Sequence, residues 1–192
     1  MKLEFYKYQG TGNDFVMIDN RSKSFPKENT NIIPKLCDRH FGIGADGVIL
    51  IENDADFDFK MIYFNADGSQ TFCGNGGRCA VAFAKELKII NSKTNFSAFD
   101  GAHYATIEKD IISLKMKDVD EILVHENSIF ADTGTQHHVE LVDDLDNFPV
   151  FKKGKEIRYS YDGPGSNVNF VQQISPSTFR VRTYEKGVED ET

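Results

Sequence analysis

Cys73 opens a glycine-rich turn, Cys73-Gly74-Asn75-Gly76-Gly77, that directly precedes an apolar segment. Apolar residues occur on nearly every side of this segment, a pattern that predicts a buried helix over 76–90. Free backbone N–H groups and the positive end of the helix dipole favour an anion at such a helix start. A thiol there is expected to ionise more readily than a free cysteine, so the sequence predicts Cys73 as a working thiolate. The alternative is a small buried hydrophobe, the usual role of a single cysteine.

The composition limits the kind of protein that carries this cysteine. The 192 residues include 40% hydrophobic side chains, enough for a packed core in one large domain or two small ones. A net charge of −8, without a cluster of Lys and Arg, argues against a nucleic-acid surface. No stretch approaches the roughly 20 apolar residues of a membrane span, and residues 1–8 contain no signal-peptide core. With three cysteines and no CxxC pair, the sequence predicts a cytoplasmic protein.

The two halves of the chain contain similar segments. Three pairs resemble each other in the same order, namely 59–65 and 179–185, 11–19 and 133–143, and 44–49 and 165–170. Each match alone is weak because strands and turns look alike, but three at nearly one offset indicate a duplicated domain. We therefore expect a first lobe over 1–117, with the Cys73 turn and the buried helix, and a second lobe over 118–192.

The elements that position these residues are mostly short strands joined by Gly, Asn and Asp turns. Strands are expected at 2–8, 14–19, 47–52, 58–64, 121–125, 137–142, 168–174 and 178–184. A weaker helical pattern covers 29–40, where Asn29 or Thr30 would cap the helix. The predicted fold class is α+β, with two pseudo-symmetric lobes, each a curled and mostly antiparallel sheet around a central helix.

The repeat also predicts that the second lobe is incomplete. Its counterpart of the Cys73 turn would fall at about position 194, just past Thr192. The second lobe is therefore expected to be truncated before its thiol turn and its core helix. A curled sheet without that helix exposes an apolar face of a size that is rare in water. Either the chain is a fragment, or something else covers that face.

Four motifs carry a resemblance to a known family. They are Gly10-Thr11-Gly12-Asn13-Asp14-Phe15, Gly42-Ile43-Gly44-Ala45-Asp46-Gly47, Asn65-Ala66-Asp67-Gly68-Ser69 and Cys73-Gly74-Asn75-Gly76-Gly77-Arg78-Cys79. In this order they resemble the motifs of diaminopimelate epimerases. The resemblance is specific in the first half of the chain and looser in the second half. The related proline racemases typically carry His at the position of Asn75, which favours the diaminopimelate interpretation.

The resemblance implies an isomerase that interconverts LL- and meso-2,6-diaminopimelate for lysine and peptidoglycan precursor synthesis without a cofactor. Two cysteines would face opposite sides of the α-carbon, one removing its proton and the other delivering a proton to the far face. The implied partner is the amino-acid substrate, with no metal, nucleic acid or membrane, and a homodimer is compatible with the family.

Site residues follow from the resemblance position by position. Cys73 matches the acid/base of the first lobe, and His137 and Glu185 match residues that would tune a cysteine. Substrate-binding roles are implied for Asn13, Gly47, Asn65, Gly74, Asn75, Thr135, Asn167, Glu185 and Lys186.

Several positions depart from the family pattern. Gly134-Thr135-Gln136-His137 stands where Gly-Asn-Pro-His is usual, Lys186 where Arg is usual, and Gly47 where many members have Gln. The second catalytic cysteine is missing, and Cys37 and Cys79 are expected to be core thiols. The 192-residue chain alone is therefore predicted to be inactive, or nearly so, as an epimerase.

Other functions compete with this one. A related amino-acid racemase of the same fold, and a non-catalytic diaminopimelate-binding protein, both remain as alternatives. A cysteine hydrolase is disfavoured because no His is placed by a motif to serve Cys73. A metal site at His137-His138 is disfavoured because adjacent strand residues point to opposite faces.

Overall fold

Strand-forming runs of the sequence divide between two sheets, one in each half of the chain. The computed structural model describes residues 3–29, 31–161, 163 and 165–192. The chain splits into two compact units, Met1–Met116 and Lys117–Thr192. The elements of the first unit are β1 (Tyr6–Gly10), β2 (Asn13–Asp19), α1 (Ile32–Cys37), β3 (Gly47–Glu52), β4 (Phe59–Asn65), α2 (Gly74–Glu86), β5 (Lys93–Ala98), β6 (Gly101–Glu108) and β7 (Ile111–Leu114).

The sheet of the first unit has helices on both faces. Its seven strands follow the order β1 to β7, with β2–β3 and β4–β5 parallel and the other pairs antiparallel. Met17 and Ile49 belong to the core cluster that contains α2, whereas Ile18 and Leu50 belong to the cluster that contains α1. Because both faces are covered, β3 is buried along its whole length and reads as a continuous apolar run.

The buried helix differs from its predicted bounds at both ends. It begins at Gly74, two residues early, because Cys73 is the N-cap. It ends at Glu86, because the Ile89 N–H donates to the Ala84 carbonyl while Lys88 adopts a left-handed φ of 58°. This is a Schellman ending with a non-glycine residue in the left-handed position. The prediction of helix through residue 90 is therefore wrong.

Two other sequence predictions need correction in the first unit. The helix expected over 29–40 covers only Ile32–Cys37, since Asp38 turns to an extended ψ of 124° and its side chain accepts from the N–H groups of His40 and Phe41. Thr30, one of the two predicted caps, lies outside the described residues. The strand expected over 2–8 begins at Tyr6, and Lys2 also lies outside the described part.

The second unit repeats the central topology of the first. Its elements are β8 (Ile122–Val124), β9 (Ile129–Asp132), β10 (Gln136–Leu141), α3 (Val150–Arg158), β11 (Asn167–Ser175), β12 (Thr178–Glu185) and β13 (Asp190–Glu191). The sheet order is β13-β12-β11-β10-β9-β8. Helix α3 lies between the parallel strands β10 and β11 in the sequence, as α1 lies between the parallel strands β2 and β3. The next pair, β11–β12, is antiparallel like β3–β4. The predicted duplication and the α+β fold with mostly antiparallel sheets are confirmed at this level.

The sequence analysis did not predict helix α3, because the helix contains few apolar residues. Its buried residues are Val150 and Gly154, and it packs on a core formed by Val168, Phe170 and Tyr184. A Cβ on Gly154 would lie 2.3 Å from the Cβ of Tyr184, so the helix needs a glycine at its contact point. By its place in the repeat, α3 is the counterpart of α1 and not of α2.

The opposite face of the second sheet is apolar and exposed. Strand alternation and the register put five large side chains there, all of them exposed: Ile122, Val124, Leu141, Phe179 and Val181. In the first unit the equivalent face is covered by α2. The exposed apolar face that the repeat predicts is therefore present in this structure.

We expect Gly154→Ala to destabilise the second unit by about 1–3 kcal/mol, because overpacking against Tyr184 outweighs the better helix propensity of alanine. Chemical denaturation followed by circular dichroism would measure the change. Lys152→Ala on the exposed side of the same helix is the control and should be nearly neutral. A Gly154→Ala protein more stable than the original would contradict the packing argument.

We expect Val181→Lys to leave the free energy of unfolding within about 0.5 kcal/mol of its original value, because the side chain is 58% exposed. The charge should lower the fluorescence of a bound hydrophobic dye by interrupting the apolar face. The same replacement at exposed Ile111, in the first unit, is the matched control and should not change the signal as much. Equal dye signals for the two variants would show that the apolar face does not bind the dye.

Candidate active site

Cys73 lies at the start of α2 with its side chain in the capping position. Its backbone is extended, with φ −125° and ψ 122°, and its Sγ accepts a hydrogen bond from the Gly76 N–H at 3.5 Å. The Cys73 carbonyl accepts from the Gly77 N–H at 2.7 Å. The thiol is partly exposed, at a point where helix N–H groups and the helix dipole both favour a negative charge. The structure thus places the predicted cysteine where the sequence analysis expects it.

The hairpin between β1 and β2 lies beside this helix start. Thr11 and Gly12 both have positive φ, 55° and 88°, as a two-residue type I′ turn requires. A β-branched residue in this conformation is unusual. The Thr11 hydroxyl lies 2.7 Å from the Gly10 carbonyl and 3.2 Å from Asn75 Oδ1, and its single proton can be donated to either oxygen. A Cβ on Gly10 would lie 3.3 Å from the Asn75 carbonyl, so the turn and the helix are in close contact.

Asn13, the first residue after this turn, bridges Cys73 and an acidic residue. The Cys73 thiol donates to Asn13 Oδ1 at 3.4 Å. The other end of the amide, Nδ2, donates to Asp46 Oδ2 at 2.6 Å. Asp46 also accepts from the Asp14 N–H at 3.1 Å, so its carboxylate is fixed against the start of β2.

A charged cluster surrounds Asp46. Arg39 donates to Asp14 at 2.8 Å and to Asp46 at 2.7 Å, and Lys7 donates to Asp14 at 2.6 Å. Burial alone would raise the pKa of Asp14, but the hydrogen bonds from Arg39 and Lys7 outweigh it and lower the pKa to about 2. The Asp14 carboxylate therefore stays ionised throughout the physiological range and anchors the cluster.

The other predicted residues of the first unit lie at neighbouring strand ends. Gly47, at the start of β3, pairs with Asn65, at the end of β4. A Cβ on Gly47 would lie 2.5 Å from both the Phe64 carbonyl and the Tyr63 ring, so no side chain fits there. Asn65 donates to the Ser69 hydroxyl at 2.9 Å, and the Asn75 side chain accepts from Arg78.

The two remaining cysteines are core residues, as predicted. Cys37 is 5% exposed and lies in the cluster of α1, and Cys79 is 3% exposed and lies in the cluster of α2. Burial raises the pKa of each thiol to about 11. Neither is suited to proton transfer near neutral pH.

The second unit gathers its own predicted residues at the corresponding strand ends. Asn167, at the start of β11, is 9% exposed and its Oδ1 accepts from the Lys186 N–H at 2.8 Å. Glu185, at the end of β12, accepts from the Thr192 hydroxyl at 2.9 Å. Thr135 lies in the turn before β10, where its carbonyl accepts from the Thr133 N–H at 3.1 Å. Burial lowers the pKa of Lys186.

His137 lies next to Asn167 in the parallel pair and has a fixed hydrogen-bond partner. Its Nδ1 lies 3.1 Å from Asn169 Nδ2, which must donate, so Nδ1 is the unprotonated nitrogen. The Asn169 carbonyl accepts from Thr183 at 3.1 Å, which holds the amide in this orientation. Burial lowers the pKa of His137 and favours its neutral form.

Asp46 and Asn169 are the neighbours that sequence reasoning missed. Asp46 stands inside a motif that the sequence analysis singles out, so its position could have raised it as a candidate. Asn169 carries no comparable signal, since only the strand register places it next to His137. Within the described ranges no cluster of three or more His, Cys, Asp or Glu could hold a metal ion, and no helix there is long and apolar enough to cross a membrane.

Sequence comparisons connect this arrangement with proteins of known activity. The family model for diaminopimelate epimerase matches residues 5–118. The diaminopimelate epimerase of Flavobacterium psychrophilum is 63% identical over 99% of this chain and 76% of that protein. The enzyme of the same name from Aquifex aeolicus is 40% identical, with the same shares covered.

Solved structures show the same fold at low sequence identity. A PhzF-family phenazine biosynthesis protein of Bacillus anthracis has a TM-score of 0.74 and 13% identity, over 100% of this chain and 75% of that one. A hydroxyproline epimerase of Agrobacterium vitis has a TM-score of 0.59 and 14% identity, over 93% and 69%. The two curled sheets thus adopt the fold that these two proteins share. By sequence, this chain belongs to the diaminopimelate epimerase family.

Proposed function

We propose that this chain carries the LL- to meso-2,6-diaminopimelate epimerase chemistry of its family, with Cys73 as one of the two acid/base groups. The observation that carries the proposal is the position of Cys73 as the N-cap of α2, partly exposed and with a helix N–H directed at its sulfur. Among the three cysteines it alone combines exposure with a site that favours the thiolate.

The start of α2 supplies the other element that the reaction needs. The first N–H groups of a helix have no partner within the helix, so those of Gly74 and Asn75 suit the α-carboxylate of an amino acid. Removing the α-proton transfers it from Cα to Sγ and moves negative charge onto that carboxylate. Donors directed at this charge lower the barrier for a very weak carbon acid.

Residues near this helix start would select the substrate. Asn13 and Asn65 offer amide groups, whereas Gly47 offers only its backbone. In the second unit the same proposal gives substrate contacts to Thr135, Asn167, Glu185 and Lys186, and gives His137 and Glu185 the tuning of a thiol. A cytoplasmic location, a homodimer and the absence of a cofactor rest on the resemblance to the family alone.

Inversion needs a second proton donor on the far face of the α-carbon. Cys37 and Cys79 are unsuited, because both are buried and the pKa of each is about 11. We therefore propose that the 192-residue chain alone exchanges the α-proton without inverting the centre at an enzymatic rate.

We expect the 192-residue chain in heavy water to place deuterium at the α-carbon of LL-diaminopimelate while the LL configuration is retained. Mass spectrometry measures the exchange and chiral chromatography the inversion. Cys73→Ala should abolish the exchange, whereas Cys79→Ala, which removes a core thiol, should retain it in the folded fraction. Rapid inversion by the unaltered chain would disprove the one-thiol proposal, and exchange of proline in place of diaminopimelate would favour a related racemase.

We expect iodoacetamide to modify Cys73 well before Cys37 and Cys79 in the native protein. The two core thiols are less than 6% exposed and their pKa values of about 11 leave almost no thiolate at pH 7. Peptide mass mapping after limited labelling identifies the modified cysteine, and denatured protein is the control in which all three react. Bound diaminopimelate should slow labelling. Protection by diaminopimelate without any α-proton exchange would support the non-catalytic binding protein instead.

A further inference from the structure

The orientation of the Asn13 amide follows from chemistry as well as from geometry. An ionised carboxylate can only accept hydrogen bonds, so the end of the amide that faces Asp46 must be the NH2 group. The 2.6 Å contact joins Asn13 Nδ2 to Asp46 Oδ2 accordingly. The other end, Oδ1, then has to face Cys73, where it lies 3.4 Å from Sγ.

Asp46 is itself held from three directions. Arg39 donates to its Oδ1 at 2.7 Å, and the Asp14 N–H donates to its Oδ2 at 3.1 Å. Its own N–H donates to Asp14 Oδ1 at 3.1 Å. The carboxylate is half-buried among donors and therefore presents a fixed acceptor to Asn13.

We propose that Asp46 is a positioning residue that fixes the polarity of Asn13, so that a carbonyl oxygen and not an NH2 group faces Cys73. This oxygen accepts from the thiol S–H and so disfavours ionisation of Cys73, whereas the Gly76 N–H donates to the sulfur and favours the thiolate. Asp46 thus shifts Cys73 towards its protonated form in the unliganded chain. The role of Cys73 in epimerisation rests on the proposed function, but its ionisation does not.

Other charged and titratable groups also face this site and bear on any pH profile. Lys7 and Arg39 bond Asp14, Arg39 also bonds Asp46, and Arg78 bonds Asn75. Tyr63 and Cys79 belong to the core cluster against which Cys73 and Tyr8 pack. A test must therefore separate the orientation of Asn13 from the loss of the Asp46 charge.

Two substitutions at Asp46 make that separation. Asp46→Asn and Asp46→Ala both remove the negative charge, but only the asparagine keeps an oxygen that accepts from Asn13 Nδ2 and the Asp14 N–H. Its own NH2 group would turn towards Arg39, which is 56% exposed and can be solvated. In Asp46→Ala the Asn13 amide is free to rotate and to donate Nδ2 to a Cys73 thiolate.

The experiment measures the rate of Cys73 alkylation by iodoacetamide from pH 5 to pH 10 in the folded 192-residue proteins. We expect the midpoint of the profile to lie about one pH unit lower in Asp46→Ala than in Asp46→Asn, about the effect of one hydrogen bond to a charged group. Asp14→Asn, which weakens the cluster but spares the acceptor for Asn13, should resemble the original protein. Circular dichroism establishes that each variant is folded.

Removing Asn13 completes the test. Asn13→Ala combined with either substitution at Asp46 should abolish the difference between Asp46→Ala and Asp46→Asn, since no amide remains to rotate. Equal midpoints for the two single variants, or a difference that persists without Asn13, would overturn the proposal. Neither result would affect the proposed epimerisation, which the α-proton exchange tests separately.

Discussion

The close approach of the first turn of α2 to its sheet is the constraint on which the candidate site depends. A Cβ on Gly76 would lie 3.1 Å from Ile49 and 3.3 Å from Met61, and one on Gly77 would lie 3.1 Å from both Leu114 and Phe72. Contacts this short leave little room for a side chain, so the glycines let the helix start reach the sheet. The helix N–H groups, the cap at Cys73 and the hairpin at Asn13 come together because of this contact.

The duplication explains why several of the predicted site residues lie at strand ends. Gly47 and Asn65 lie at the start of β3 and the end of β4, and Asn167 and Glu185 lie at the corresponding ends of β11 and β12. One topology thus presents a pair of polar positions in each unit. The residue types differ between the units, since a side chain is excluded at Gly47 but Asn167 caps the Lys186 N–H.

Eight strands and the buried helix could be located from the sequence because their patterns are local, whereas the sequence analysis did not predict β5, β6, β7, β9 and β13. The strand at 47–52 matches its predicted bounds, since both of its faces are buried and every residue is apolar or at a strand end. Helix α3 could not be predicted in this way, because Gly154 and its contact with Tyr184 depend on a strand that is distant in sequence. The end of α2 at Glu86 likewise depends on the left-handed backbone conformation of Lys88, which a lysine in the sequence does not predict.

The position of the candidate site could be predicted from the sequence, but the orientation of the Asn13 amide within it could not. A cysteine before a glycine-rich helix start predicts a stabilised thiolate, and the Gly76 N–H acts in that direction. The Asn13 carbonyl acts against it, and nothing in the identity of an asparagine tells which end of its amide faces a neighbour.

That orientation is settled by Asp46, a residue 33 positions further along the chain that does not itself contact the thiol in the hydrogen bonds described. Asp46 in turn is held by Arg39 and by the Asp14 N–H. The ionisation of Cys73 therefore depends on the whole network of donors and acceptors that ends at its sulfur. Since an acceptor and a donor on the same sulfur oppose each other, a modest change in either one is enough to shift the balance between thiol and thiolate.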